Sequence, residues 1–290
     1  MNILKKWIMF MSAATLTVGL SACGETAEPA SGGEAAKGED SDLTVEEVYA
    51  KSVEASEGVT GLHADILTDQ EMVMGTEGME INMKMDSAMD MTTEPLAFHQ
   101  TAETAIESEE IENSNPMSME MYYTDEGMFM YEETMATWLK MPDESIEDLK
   151  GLADQQTADP AQQLEELAEF QDDFTFEQTG EEYILTLDAS GEKFQELMDQ
   201  QLEKTLGQME IEAQMVLEDM TIHSVNYIIN IDKETFLTNS MDMTMDMDLN
   251  IERETMNIKS DVQADYSQYN EIDAITVPAE VLEQAQEIEG

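Results

Sequence analysis

Three histidines, one cysteine, 26 methionines and 66 carboxylates are the residues of this 290-residue chain that could do chemistry. His63 and His99 fall on the polar faces of predicted strands and His223 near the start of another, so their spacing sets up no convergent triad. No serine stands in a nucleophile elbow, and there is neither a His-Glu-x-x-His pair nor a glycine-rich phosphate loop. Paired carboxylates say little where 66 acids are available. The sequence therefore predicts no enzyme and no cofactor. Asp86, Asp90, Asp242, Asp246 and Asp248 form rows that could hold calcium weakly, but no Asp-rich loop with a glycine turn accompanies them. Acidic outer faces are accounted for by solubility and by protection of sheet edges.

The methionines carry more information. Over residues 237–251, Leu237, Asn239, Met241, Met243, Met245, Met247, Leu249 and Ile251 share one face, and Asp242, Asp246 and Asp248 share the other. Such alternation defines a β-strand with an apolar side and an acidic side. At ~3.3 Å per residue it would run about 50 Å, beyond the roughly 45 Å width of a compact fold of about 250 residues, so it must curve. Two readings of its apolar face stay open. In one, Met79, Met83, Met85, Met241, Met243, Met245 and Met247, with Phe194 and Leu202 from a covering helix, line a trough for an apolar ligand. Unbranched thioether side chains suit that task because they repack around ligands of variable shape. In the other, the same positions are ordinary core. A third possibility is Cu(I) held by thioethers. Same-face neighbours in one strand are roughly 6.7 Å apart, which leaves only cross-strand pairs within reach of one ion. No histidine or cysteine is interleaved with them.

Composition narrows the classes further. With 12 basic residues against 66 acidic ones the formal charge is −54. A surface of that sign repels nucleic acid, which excludes DNA and RNA as partners. The chain is 41 % hydrophobic, enough for a sizeable core. At the amino terminus Lys5 and Lys6 precede an apolar run over residues 7–19, and Leu20-Ser21-Ala22-Cys23 then places small residues before the sole cysteine. Residues 1–22 are expected to be a signal peptide and 23–42 an acidic tether rich in Gly, Ala, Ser, Glu and Pro. With no second thiol in the chain, disulfides and thiolate metal sites are excluded.

Residues 43–290 then read as one domain. Thr44 with Glu47 makes a capping box, and Val45, Val48, Tyr49, Ser52 and Val53 form one helical face. From Val59 the period changes to two, giving three long consecutive strands and then shorter pieces around Met121, Phe129 and Trp138. Helices are predicted at residues 144–153, 160–170 and 190–206, a hairpin around Gly180, three more long strands and a last helix from Pro278. The expected fold is α+β. A strongly curved antiparallel half-barrel of about eleven strands is covered on its concave side by helices.

The lipobox Leu20-Ser21-Ala22-Cys23 resembles that of bacterial lipoproteins, which are cut before the cysteine and acylated on it. Tyr122-Tyr123-Thr124-Asp125-Glu126-Gly127-Met128-Phe129-Met130-Tyr131, Thr137-Trp138-Leu139-Lys140-Met141, Tyr266-Ser267-Gln268-Tyr269-Asn270 and Ile275-Thr276-Val277-Pro278 resemble segments of poorly characterised Gram-positive lipoproteins. Those are similar in architecture to the LolA/LolB and LppX/LprG carriers. The resemblance implies a palmitate-type acyl anchor on Cys23, a place on the outer face of the cell membrane, and an unclosed barrel with a cavity for acyl chains. It supplies no catalytic residue and names no protein partner. An envelope scaffold with a filled core and no cargo is the alternative function.

Overall fold

The computed structural model describes residues 28–29, 41–75, 78–108, 116–133, 136–142, 160, 167, 170, 173–190, 194–195, 220–251 and 254–287. Helix α1 (Val45–Ser56) starts where the sequence places it. The Thr44 hydroxyl accepts the Glu47 amide at 3.3 Å, and the Glu47 carboxylate accepts the Thr44 amide at 3.1 Å. This reciprocal cap satisfies two amides that the first helical turn leaves without partners. Val45, Val48, Tyr49 and Ser52, spaced to share one face, are buried.

The strands are β1 (Glu28–Pro29), β2 (Gly61–Met74), β3 (Met79–Thr93), β4 (Leu96–Ser108), β5 (Met117–Thr124), β6 (Gly127–Glu132) and β7 (Thr137–Lys140) in the first half. In the second half come β8 (Phe174–Gln178), β9 (Glu182–Ser190), β10 (Met220–Asp232), β11 (Thr238–Ile251) and β12 (Glu254–Ser267), then helix α2 (Ala279–Gln284) and β13 (Gln286–Glu287). All thirteen lie in one sheet of order β1-β8-β9-β10-β11-β12-β2-β3-β4-β5-β6-β7-β13. Two meanders are thus joined where the last long strand, β12, pairs antiparallel with the first, β2. Outermost β8 and β7 pair not with each other but with the two-residue β1 and β13, so the sheet is open. Covering an edge in this way removes a template for further pairing.

The described architecture is mostly β, with α1 and α2 as its described helices. A curved sheet is consistent with it. The predicted helical cover is not a feature of the described residues, since most of 144–153, 160–170 and 190–206 lies outside them. Residues 1–22 and Cys23 also lie outside.

Two bulges correct the expectation of unbroken alternation. In β10 and β11 the register moves from Asn230↔Ser240 to Ile231↔Thr238, which leaves Asn239 as the extra residue. Thr238, and not Asn239, therefore takes the inward position and is 1 % exposed, while the Asn239 amide donates to Glu182 at 2.8 Å. A second shift between Ile222 and Ser224 leaves His223 unpaired in the ladder and brings Ile222 and Val225, three apart, onto one face.

The main core joins Val45, Val48 and Tyr49 of α1 to Leu62, Ala64, Leu185, Leu187, Val225, Ile229 and Ile231, with Leu167, Phe170 and Phe194 beside them. Gly61 is required at the edge of this core: a Cβ there would sit 2.8 Å from the Met91 carbonyl oxygen. A satellite cluster of Phe129, Val277 and Val281, flanked by Tyr122 and Trp138, lies under the C-terminal segment. That segment leaves β12, bonds Gly61 O through the Asn270 amide at 2.8 Å, and ends as β13 along β7.

Candidate functional site

Register shows how far the methionines converge. On the inward face one cross-strand row runs Leu187, Tyr227, Met243, Val262, Thr68, Met85 and Thr104. The next runs Ala189, Val225, Met245, Ser260, Gln70, Met83 and Ile106, and the one after it Ile222, Met247, Ile258, Met72, Ile81 and Ser108. A last row at the hairpin tips is Met220, Leu249, Met256, Met74 and Met79. Of the predicted lining residues, Met241 is 3 % exposed in the core, Met243, Met245 and Met247 are partly buried against it, and Met79 is 46 % exposed. Met83 and Met85 are half-buried. Phe194 is buried, its ring 5.6 Å from Phe170 and 6.5 Å from Tyr227. Leu202 lies outside the described residues.

The sequence reading missed polar members of the same face. Gln70 donates from its amide to Ser260 Oγ at 3.1 Å, in the middle of the methionine rows. Gln70 keeps step with Ile66 and Met72, and Ser260 with Ile258 and Val262, which is the signal that marks both as inward, but only the β2–β12 register brings them together.

The opposite face is acidic. An open groove of about 890 Å³ crosses β11, β12, β2, β3 and β4, lined mostly by residues of that face, Leu67, Asp69, Asp86, Glu103, Asp246 and Asp261 among them, with Lys84 and Lys259 as its cations, and also by Met85 and Met245 of the inward rows. Asp69 accepts from Lys84 at 2.8 Å. Asp242, on the same face, has its carboxyl raised above the usual range by burial and then by the negative charges of Asp265 and Asp261. Asp248 goes the other way: hydrogen bonds from Asn257 at 3.0 Å and from His223 at 2.9 Å favour its ionised form.

Histidines are closer to one another than expected, though they form no triad. His63, Asp90 and His99 are successive cross-strand neighbours, and His63 Nδ1 lies 2.6 Å from Asp90. His63 Nε2 lies 3.3 Å from Asp65. Burial alone would lower its pKa, but the hydrogen bond to Asp90 and the two negative charges outweigh it and leave the value raised. His99 instead stacks on Tyr122, 4.3 Å between ring centres, and bonds Glu120 at 3.1 Å. The Tyr122 hydroxyl also donates to Glu120, and burial followed by that bond pushes its pKa to about 12. His223 is separate, on Asp248. Among the described residues no three His, Cys, Asp or Glu side chains are placed to hold a metal ion. Among them, too, no helix is long and apolar enough to cross a membrane.

These features define an open, mostly β protein with one sheet, one methionine-rich face and one acidic face. The chain belongs to the family of unknown function DUF6612, whose model matches residues 44–286. Comparison with curated proteins finds no match. Among solved structures the backbone is similar to LprF from Mycobacterium bovis, at 12 % identity and TM-score 0.36, covering 81 % of this chain and 97 % of that one. It is similar to lipovitellin at 10 % identity and TM-score 0.33, covering 76 % of this chain but only 26 % of that one. A DUF1329 family protein from Desulfovibrio piger matches at 10 % identity and TM-score 0.24, with 78 % and 93 % covered.

Proposed function

We propose that this chain is an extracytoplasmic lipoprotein, anchored through acyl groups on Cys23 to the outer face of a bacterial membrane, that binds an apolar ligand of the acyl-lipid class against its methionine face. The proposal assigns no reaction to the chain. The observation that carries it is a division along the inward face. Near α1 the rows are built from Leu62, Leu185, Ile229 and Ile231, each 0–1 % exposed. Toward the hairpin tips Met83, Met85, Met243, Met245 and Met247 take over and are only partly buried. Rigid branched residues suit a fixed core, whereas adaptable thioethers left partly uncovered suit a surface that receives a guest.

A scaffold without cargo is favoured by one feature, the Gln70–Ser260 hydrogen bond, which gives the rows a polar centre. Solvent extraction and mass spectrometry of the folded chain lacking residues 1–22 and purified from bacteria separates the two. A stoichiometric lipid is the expected result. No bound lipid, combined with no uptake of a fluorescent fatty acid, overturns the binding reading and leaves the scaffold.

A further inference from the structure

We propose that Met79 and Met117 are a modification site. A neutral two-electron oxidant of the peroxide or hypochlorous acid class converts these two thioethers to sulfoxides ahead of the inward methionines, and ligand uptake falls while the fold persists. The effect on uptake rests on the ligand reading above; the order of oxidation does not. Among the described residues Met79, at 46 % exposure, and Met117, at 54 %, are the exposed methionines. The large apolar side chains exposed elsewhere, Leu67, Leu96, Ile228 and Leu282, are hydrocarbon and inert to such reagents. Met91 and Met241 are 4 % and 3 % exposed, and the other described methionines are half-buried. Register sets the exposed pair at the margins of the methionine rows. Met79 closes the row of Met220, Leu249, Met256 and Met74, and Met117 pairs with Thr104, itself the partner of Met85.

The chemistry follows from the thioether. Its sulfur gives a lone pair to the electrophilic oxygen of the reagent, an S–O bond forms, and the O–O bond of hydrogen peroxide or the O–Cl bond of hypochlorous acid breaks. Sulfur loses two electrons, and water, or chloride and a proton, leaves. A formal charge of −54 repels anionic oxidants, so the reagents that reach the rim are uncharged. Cys23 is the sole thiol, and residues 24–290 hold no faster-reacting sulfur to divert the oxidant. The product is polar where the thioether was apolar and pliable. Met74 lies directly across the ladder from Met79, with side chains about 5 Å apart, so a sulfoxide at Met79 sets its dipole against the apolar row. A guest crossing that margin then meets a hydrogen-bonding group. The fixed core is spared, because Leu62, Leu185, Ile229 and Ile231 contain no sulfur and Met91 and Met241 are shielded within it. Sulfoxide reductases reverse the change, which makes it a switch and not only damage.

The chain from Cys23 to Gly290, its one thiol capped with N-ethylmaleimide, is treated with graded hydrogen peroxide or hypochlorous acid and mapped by peptide mass spectrometry. Sulfoxide at Met79 and Met117 is expected to form several-fold faster than at Met91 and Met241. Equal rates at all four overturn the modification site. At the dose that saturates the exposed pair, uptake of a fluorescent fatty acid is expected to fall several-fold while the circular-dichroism melt stays cooperative. A chain carrying both Met79→Leu and Met117→Leu is expected to keep, after that dose, the uptake it had before it. If the double variant loses uptake as the native chain does, or if the native chain loses none, the switch is overturned although the site stands. A melt that collapses at that dose overturns the persistence of the fold. A native chain that takes up no fatty acid before oxidation overturns the ligand reading and the switch together, whereas the mass map still decides the site.

Discussion

His63 shows what single residues contribute on the acidic face. It is one of three histidines among 66 acids, and its imidazole sits between Asp90 at 2.6 Å and Asp65 at 3.3 Å. Its folded pKa lies above the ordinary 6.5, so folding favours the protonated ring. The stabilisation is fully present below about pH 6.5 and is lost as pH rises through the folded value. His63→Gln is therefore expected to lower the melting temperature at pH 5.5 by about 1–3 °C relative to the native chain, with the difference shrinking at pH 8.5. Melts followed by circular dichroism at both pH values check this, and a difference independent of pH would refute the assigned pairing. The polar-face position of His63 was legible from alternation. Its partner was not, because Asp90 is 27 residues away and meets it only through the β2–β3 register.

At the level of elements, period and capping chemistry were enough to locate α1, the hairpin at Gly127 and nearly every long strand. Gly127 adopts φ +124°, a conformation open to glycine, which is why the turn could be read from the residue type. Bulges were not legible, since one extra residue leaves the composition unchanged and shows only when partner strands are aligned: Asn239 looked inward by counting and Thr238 is the residue that points there. Nor was the pairing of β12 with β2, because nothing local marks which strands of two similar meanders will meet. The site was legible as a set of methionines, while core and binding surface share the same alternation. Two substitutions tell those apart. Leu185→Ala, at a position 0 % exposed, should cost about 2–5 kcal/mol in urea unfolding through lost burial and a cavity. Met85→Ala, on the same inward face but half-buried, should cost less than about 1.5 kcal/mol. If Met85→Ala costs as much as Leu185→Ala, the methionine rows are core and not a receiving surface.

For the whole molecule the decisive quantity is a formal charge of −54 over 290 residues. Like charges crowd along the acidic face, where burial and then the charges of Asp265 and Asp261 hold the Asp242 carboxyl above its usual range, and Asp86, Glu103 and Asp246 line one groove. Few cations offset them: the Lys84–Asp69 pair, at 2.8 Å, is exposed on both sides and belongs to a class worth little in water. Mutual repulsion therefore outweighs pairwise attraction, and it acts over distances that salt can shorten. The Debye length falls from about 30 Å at 0.01 M to about 3 Å at 1 M. Moving from about 0.02 to 0.5 M sodium chloride should screen most of the repulsion between strands while barely touching the core of Leu185, Ile229 and Ile231. The melting temperature should then rise with salt, by several degrees, and level off once the Debye length drops below the spacing of neighbouring strands and their side chains. Chloride is the right counter-ion because sulfate would also strengthen apolar burial and blur the cause. A melting temperature that falls with sodium chloride would mean that pairs such as Lys84–Asp69 outweigh the repulsion, and that the acidic face is held together by its few cations.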